Sequence, residues 1–285
     1  MHNEGAWKIW AVRRPWRDIP PACIRTVSRA DAGPLGNPLT MLSSYTLPQG
    51  EAIHIGTFVK TPAPQIVEVL ALAGLDFVVV DAEHAPFDLG SLDLMVLAAR
   101  AAGLPVWVRV PDQGASTLAR ILDLGVNGVL VPHVDSAEQA AAVVRHCRHL
   151  GGVRGYSGSP RASGYGSLGM REALRQSERV TILCQIESGP AVKQAEAIAA
   201  VPGVGGIFMG RADLALSMDL DDANHPDVKR AADEAIASGL RAGRLVAAFV
   251  ANRQERLAYA QAGVRWFVQS SDQALLRGAA AGLRA

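Results

Sequence analysis

The sequence predicts an α/β chain closed into a (β/α)8 barrel, and three observations carry that expectation. One phrase recurs from residue 53 onward: an amphipathic helix, a closing glycine, and a short apolar run that ends near a polar residue. The runs are rich in Val, Ile, Leu and Phe and nearly free of charge, as strands buried on both faces are. Eight such units fit between residue 53 and the last residue, the size of a closed barrel.

The first strand is expected at 53–59. Ala73-Gly74 closes a helix before the second at 75–81, Ala102-Gly103 before the third at 104–109, and Leu124-Gly125 before the fourth at 126–131. The fifth falls at 180–186 and the sixth at 205–209. Ala242-Gly243 and Ala262-Gly263 precede the last two, at 244–249 and 264–268. Glycine just past a helix supplies the left-handed residue that ends it. Helix starts agree: Ser136-Ala137-Glu138-Gln139 has the capping-box pattern, and Asp88 or Ser91, Ser116 and Asn252 are placed to cap others. The competing layout, an open doubly wound sheet, would carry a glycine-rich phosphate turn after its first strand. Gly56-Thr57-Phe58-Val59-Lys60-Thr61-Pro62 is not one.

The first forty residues differ from the rest, with six Lys/Arg against three Asp/Glu, three Trp, scattered Pro and no sustained period. They read as an N-terminal extension, 1–40, outside a catalytic domain of 41–285 that Met41 could open. An organellar presequence is the other reading; a secretory peptide is disfavoured because Lys8 interrupts the apolar stretch. A formal net charge of +1 gives no surplus for nucleic acid or an anionic membrane, and no run approaches the ~18 apolar residues of a membrane span. Cys23, Cys147 and Cys184 have neither disulfide nor zinc-site spacing, which points to a reducing cytoplasm.

Chemistry in such barrels sits at the carboxyl ends of the strands. There the sequence places Asp81-Ala82-Glu83-His84, Arg109, Pro132-His133, Gln185-Ile186-Glu187 and Gly210-Arg211-Ala212-Asp213. Each has a plain structural alternative. Arg109 could pair with a rim carboxylate, His84 could hydrogen-bond a loop carbonyl, and Glu187 and Asp213 could cap helices. Their convergence on one rim favours a site. Two carboxylates on neighbouring strands, with room for water and substrate oxygens, suit Mg²⁺ or Mn²⁺ acting as a Lewis acid. Of the four lysines only Lys60 lies at a strand's carboxyl end, so it is the single candidate for Schiff-base chemistry.

The segment Phe77 to Pro86 (Phe-Val-Val-Val-Asp-Ala-Glu-His-Ala-Pro), Val108-Arg109-Val110-Pro111, Gln185-Ile186-Glu187 and Gly210-x-Ala212-Asp213-Leu214 together resemble the HpcH/HpaI aldolases, in order from about residue 53 to the C-terminus. The resemblance implies a barrel of the phosphoenolpyruvate/pyruvate type and a lyase that splits 4-hydroxy-2-oxo acids reversibly into pyruvate, or a related 2-oxo acid, and an aldehyde. It implies Glu187 and Asp213 as ligands of Mg²⁺, Mn²⁺ or Co²⁺, and Gln185, Ala212 and Asp213 as contacts of the oxo acid. Arg109 would steady an enolate, His84 would be the acid/base residue, and Asp123 would raise that histidine's basicity. Asp81 and Glu83 would support these groups or line the aldehyde side. It further implies a homohexamer, a trimer of dimers, with residues 273–283 of the swapped last helix packed on a neighbour.

This chain departs from the family where Arg211 replaces a frequent proline, which would reshape the substrate loop or add an anion contact. Arg161, in Arg154-Gly155-Tyr156-Ser157-Gly158-Ser159-Pro160-Arg161-Ala162, is either a handle for a distal carboxylate or a surface ion pair. Two other functions stay open: a CoA-ester lyase of the malyl- or citryl-CoA type, which would need a basic groove, and an oxo-acid-binding protein without turnover.

Overall fold

The computed structural model describes residues 52–284, so the extension at 1–40, the boundary at 41 and Cys23 lie outside the described residues. All eight strands form: β1 (His54–Val59), β2 (Phe77–Asp81), β3 (Val106–Arg109), β4 (Gly128–Val131), β5 (Thr181–Ile186), β6 (Gly206–Met209), β7 (Leu245–Val250) and β8 (Trp266–Ser271). Each is parallel to the next, and β8 closes on β1, so the ring runs in chain order. The fold is a (β/α)8 barrel.

Alternation with period two sorts the strand residues into two apolar layers. Val78, Val80, Val106 and Val108 face outward, toward the helices. Phe58, Val79, Trp107, Leu183 and Phe208 face inward and fill the barrel. Burying a side chain of this kind contributes about 1.5–3 kcal/mol, so the strands hold this register firmly. Gly128 serves the inner layer by absence: a Cβ there would collide with the Trp107 indole. One step beyond the inner layer, the same alternation lifts Asp81, Arg109 and Gln185 to the rim, with Lys60 just past the end of β1. Asp81 and Arg109 stand opposite each other in register.

The connections between strands are α1 (Pro64–Leu72), α2 (Leu89–Ala101), α3 (Ala115–Asp123), α4 (Ala137–Cys147), α5 (Met170–Ser177), α6 (Gly189–Ala200), α7 (Arg211–Ser217), α8 (Pro226–Arg241) and α9 (Arg253–Gln261); α10 (Asp272–Gly282) follows β8. The expected glycines 74, 103, 125, 243 and 263 all have positive φ. Asp88 caps α2 reciprocally with Ser91, and Asn252 caps α9. Ser136 caps α4, but Gln139 turns its carbonyl to the Asp135 N–H, so the box is only half made. Ser116 does not cap: α3 starts one residue earlier, behind Gly114.

Helix α10 is anchored at its first residue. Asp272 is buried and accepts the Lys60 N–H at 2.9 Å and the Thr61 N–H at 3.0 Å, tying the end of β8 to the loop after β1. Beyond it Leu275, Leu276 and Leu283 are exposed. Among the described residues no helix is long and apolar enough to cross a membrane.

Candidate active site

Arg109 is the centre of the rim. Its Nε donates to Asp81 Oδ1 at 2.9 Å and its Nη2 to Asp81 Oδ2 at 2.7 Å, a two-point pairing that fixes the guanidinium plane. Nη1 stands 3.2 Å from Glu83 Oε2, and the cation lies 4.6 Å from the centroid of the Phe58 ring. Asp81 is fully buried and also meets the Lys60 ammonium at 3.1 Å. Burial alone would raise its pKa, but the Arg109 hydrogen bonds and charge, with Lys60 and the His84 N–H, hold it below 3.8. A group depressed in this way stabilises the fold above its unfolded pKa and loses that contribution as pH falls through the folded one. Asp81→Asn should therefore lower the urea midpoint by a constant amount above about pH 5, and the gap to the wild type should close as pH drops below 3.8.

Glu187 lies across the mouth, just past β5, and is 3% exposed. It accepts the His133 N–H at 2.7 Å through Oε1, while Oε2 meets the Gln185 amide. Burial pushes its carboxyl above the usual range and the Asp213 charge adds to that push; the His133 and Gln185 donors do not offset it. Asp213 sits in the first turn of α7, behind Gly210, where a Cβ would stand 3.6 Å from Glu187 Oε2. The Asp213 charge reaches Glu187, so the two acids lie close enough to interact. Neither caps a helix through its side chain; Ser188 caps α6.

His84 follows Glu83 on the loop after β2. Its Nε2 is 3.5 Å from Glu83 Oε2, its backbone N–H donates to Asp81, and its ring is half-exposed. His133, to which the sequence reading gave no role, stands between the two halves of the rim. Its Nε2 is 3.2 Å from Glu83 Oε1 and its Nδ1 3.1 Å from Glu187 Oε1. It holds a φ of 57°, unusual for a residue with a side chain and fixed here by its N–H bond to Glu187. Its only sequence signal was its place directly after Pro132 at a strand end.

Three residues expected near the mouth are committed elsewhere within one chain, and for Arg161 the ion-pair alternative is the one seen. Asp123 does not meet His84: it ends α3, which runs back toward the amino ends of the strands, and Arg154 donates to it at 2.6 Å. Arg161 is not on the rim either, because the segment between α4 and β5 leads to the amino end. Its guanidinium is committed to Asp93 at 2.6 Å and the Leu124 carbonyl at 3.0 Å. Arg211 starts α7 but turns outward to Glu255 at 2.7 Å and Asn224 at 3.4 Å, with its cation 5.9 Å from the Tyr259 ring centroid. Ala212 lies exposed on the same first turn. Cys184 is buried with its thiol pushed up to about 12, a packing residue.

The donor set suits a hard divalent cation. A desolvated carboxylate with raised proton affinity beside a second carboxylate is a place where positive charge is missing. Two buried acceptors nearby, Gln185 Oε1 and Glu83 Oε2, receive no hydrogen bond. Among the described residues no three His, Cys, Asp or Glu side chains make a closed metal cage. An ion held by Glu187 and Asp213 would complete its coordination with oxygens of water or substrate.

The model of the HpcH/HpaI aldolase/citrate lyase family matches residues 54–275. The 5-keto-4-deoxy-D-glucarate aldolase of Klebsiella pneumoniae subsp. pneumoniae is 36% identical over 230 residues, 80% of this chain and 89% of that protein. A crystal structure of an HpcH/HpaI aldolase/citrate lyase family protein from Burkholderia cenocepacia J2315 superposes with a TM-score of 0.77 at 33% identity, covering 86% of this chain and 97% of that one. The HpcH/HpaI aldolase from Desulfitobacterium hafniense DCB-2 does so with a TM-score of 0.76 at 29% identity, covering 82% and 92%.

Proposed function

Because the chain belongs to the HpcH/HpaI aldolase/citrate lyase family, and is therefore a carbon–carbon lyase, we propose that it splits 4-hydroxy-2-oxo acids reversibly into pyruvate, or a related 2-oxo acid, and an aldehyde. The observation that carries this reading is the buried Glu187 carboxylate beside Asp213, facing Arg109 and His84 across one barrel mouth.

Glu187 and Asp213 would hold Mg²⁺, Mn²⁺ or Co²⁺, which when bound supplies Lewis-acid stabilisation to a 2-oxo oxygen. Gln185, next to Glu187, would orient the acid. Arg109, held flat by Asp81, keeps three N–H groups beyond the two given to Asp81. They would stabilise the negative charge that grows on the 2-oxo oxygen as the C3–C4 bond breaks. His84 is open enough to take the C4 hydroxyl proton; C4 leaves as the aldehyde, and C3 of the enolate takes up a proton to give pyruvate. In the reverse direction the same proton returns.

Asp123 and Arg161 reach such a mouth only if a second copy presents its amino end to it. We extend the proposal to a homohexamer, a trimer of dimers, in which α10 packs the exposed Leu275 and Leu276 on a neighbour.

Pyruvate release from a panel of 4-hydroxy-2-oxo acids tests the reading. Release should stop with EDTA, return with Mn²⁺, and leave the protein untrapped by borohydride. EDTA-resistant activity trapped by borohydride would move the chemistry to Lys60. No release from any acid would defeat the substrate assignment.

A further inference from the structure

We propose that Gln113 is a positioning residue for ion binding: its amide clamps the turn after β4 so that His133 presents its backbone N–H to Glu187. The proposal rests on the reading, given above, that Glu187 holds the ion.

Three neighbouring strands meet in this arrangement. Gln113 lies in the loop after β3, His133 in the loop after β4, and Glu187 just past β5. Gln113 Nε2 donates to the Pro132 carbonyl at 2.9 Å and to the His133 carbonyl at 2.8 Å. Carbonyl oxygens only accept, so an amide nitrogen with two N–H groups is the atom that fits between them. The Pro132 carbonyl and the His133 N–H belong to one planar trans peptide and point in opposite directions. Holding the carbonyl on one side therefore aims the N–H on the other, where Glu187 Oε1 accepts it at 2.7 Å.

The turn needs such a hold. His133 has a φ of 57°, the left-handed region, which a residue with a Cβ enters at a cost. Its bond to Glu187 is one anchor, but a carboxylate that is to coordinate an ion cannot be the sole anchor of the turn that orients it. Gln113 supplies two bonds from a loop that is itself fastened, since its own carbonyl oxygen lies 2.9 Å from Nδ1 of His146 on α4. Asp135, which meets the Ser188 hydroxyl, ties down the far end of the turn. That contact lies beyond His133 and leaves the Pro132–His133 peptide free to rotate.

Gln113→Met tests this, because it removes both donors at similar length. Mn²⁺ affinity, read from the free-ion signal in electron paramagnetic resonance, should fall about tenfold, the scale for losing a group that orients a metal ligand. Turnover at saturating Mn²⁺ should stay within about threefold of the wild type, because the clamp acts through ion affinity and touches no reacting group. In the ion-free variant the His133 amide should exchange with deuterium faster than in the wild type. Gln113→Glu, which sets carboxylate oxygens against the two carbonyls, should lose at least as much affinity. In the His133→Gly background the effect of Gln113→Met should shrink below about threefold, since glycine takes the left-handed region unaided. The same tenfold loss in both backgrounds overturns the proposal, as does unchanged exchange of the His133 amide. Equal Mn²⁺ affinity in the wild type and both Gln113 variants overturns it while leaving Glu187 as a ligand. If the wild type binds no Mn²⁺, the ion reading falls and this proposal falls with it.

Discussion

Arg109→Met should lower stability by about 3–5 kcal/mol, the scale for breaking a buried ion pair from one side. The reason is the company Arg109 keeps. Asp81 is fully buried and Glu83 Oε2 accepts no hydrogen bond, so removing the guanidinium leaves two acids in the barrel mouth facing only Lys60, His84 and His133. For a domain of this size the loss corresponds to a melting temperature lower by roughly 10 °C, readable by calorimetry. Turnover should fall by about 10²–10³ in the folded fraction, as when an oxyanion donor is removed. Arg109→Lys should recover part of the stability but little of the turnover, because an ammonium cannot reproduce the two-point pairing with Asp81. A variant melting within 2 °C of the wild type would contradict the stability argument.

The second large effect is expected at Glu187, where function and stability should move in opposite directions. Glu187→Gln removes one of the two anionic ligands proposed for the ion. Mn²⁺ affinity, followed by the free-ion signal in electron paramagnetic resonance, should drop by at least about 100-fold, and turnover by about 10³. In the ion-free protein the sign reverses. A carboxyl whose folded pKa is raised contributes stability that is fully present below its unfolded value of 4.5 and lost as pH rises through the folded value. At neutral pH the ion-free wild type bears that loss, and glutamine does not. Ion-free Glu187→Gln should thus match or exceed the wild type in urea midpoint at pH 7.5, and the two should converge toward pH 4. Added Mn²⁺ should then stabilise the wild type alone. A variant less stable than the ion-free wild type at pH 7.5 would show that the His133 and Gln185 donors outweigh burial.

The residues that can be placed from sequence are those riding on strands. Asp81, Arg109 and Gln185 each lie two positions beyond an apolar residue of the inner layer, so the period that fills the barrel also delivers them to its mouth. Glu187, directly after β5, continues the same alternation. His133 escaped because its role depends on both of its ring nitrogens meeting carboxylates from different strands, a coincidence that spacing does not encode. Arg211 escaped for a related reason: its place in the first turn of α7 says nothing of where a long side chain turns, and Glu255 on α9 decides that.

By itself the sequence determined the barrel, the order of its strands and the end at which chemistry collects. Those follow from periodicity and from glycines that end helices, both local properties of the chain. The tertiary structure alone decided which charges share the mouth. It set Asp123 with Arg154 and Arg161 with Asp93 at the far end, and brought Lys60 to Asp81 and Asp272 to the Lys60 loop. Such pairings depend on how the connections return around a closed ring, and the energy that selects them is electrostatic and long in sequence separation, so no window of residues contains it.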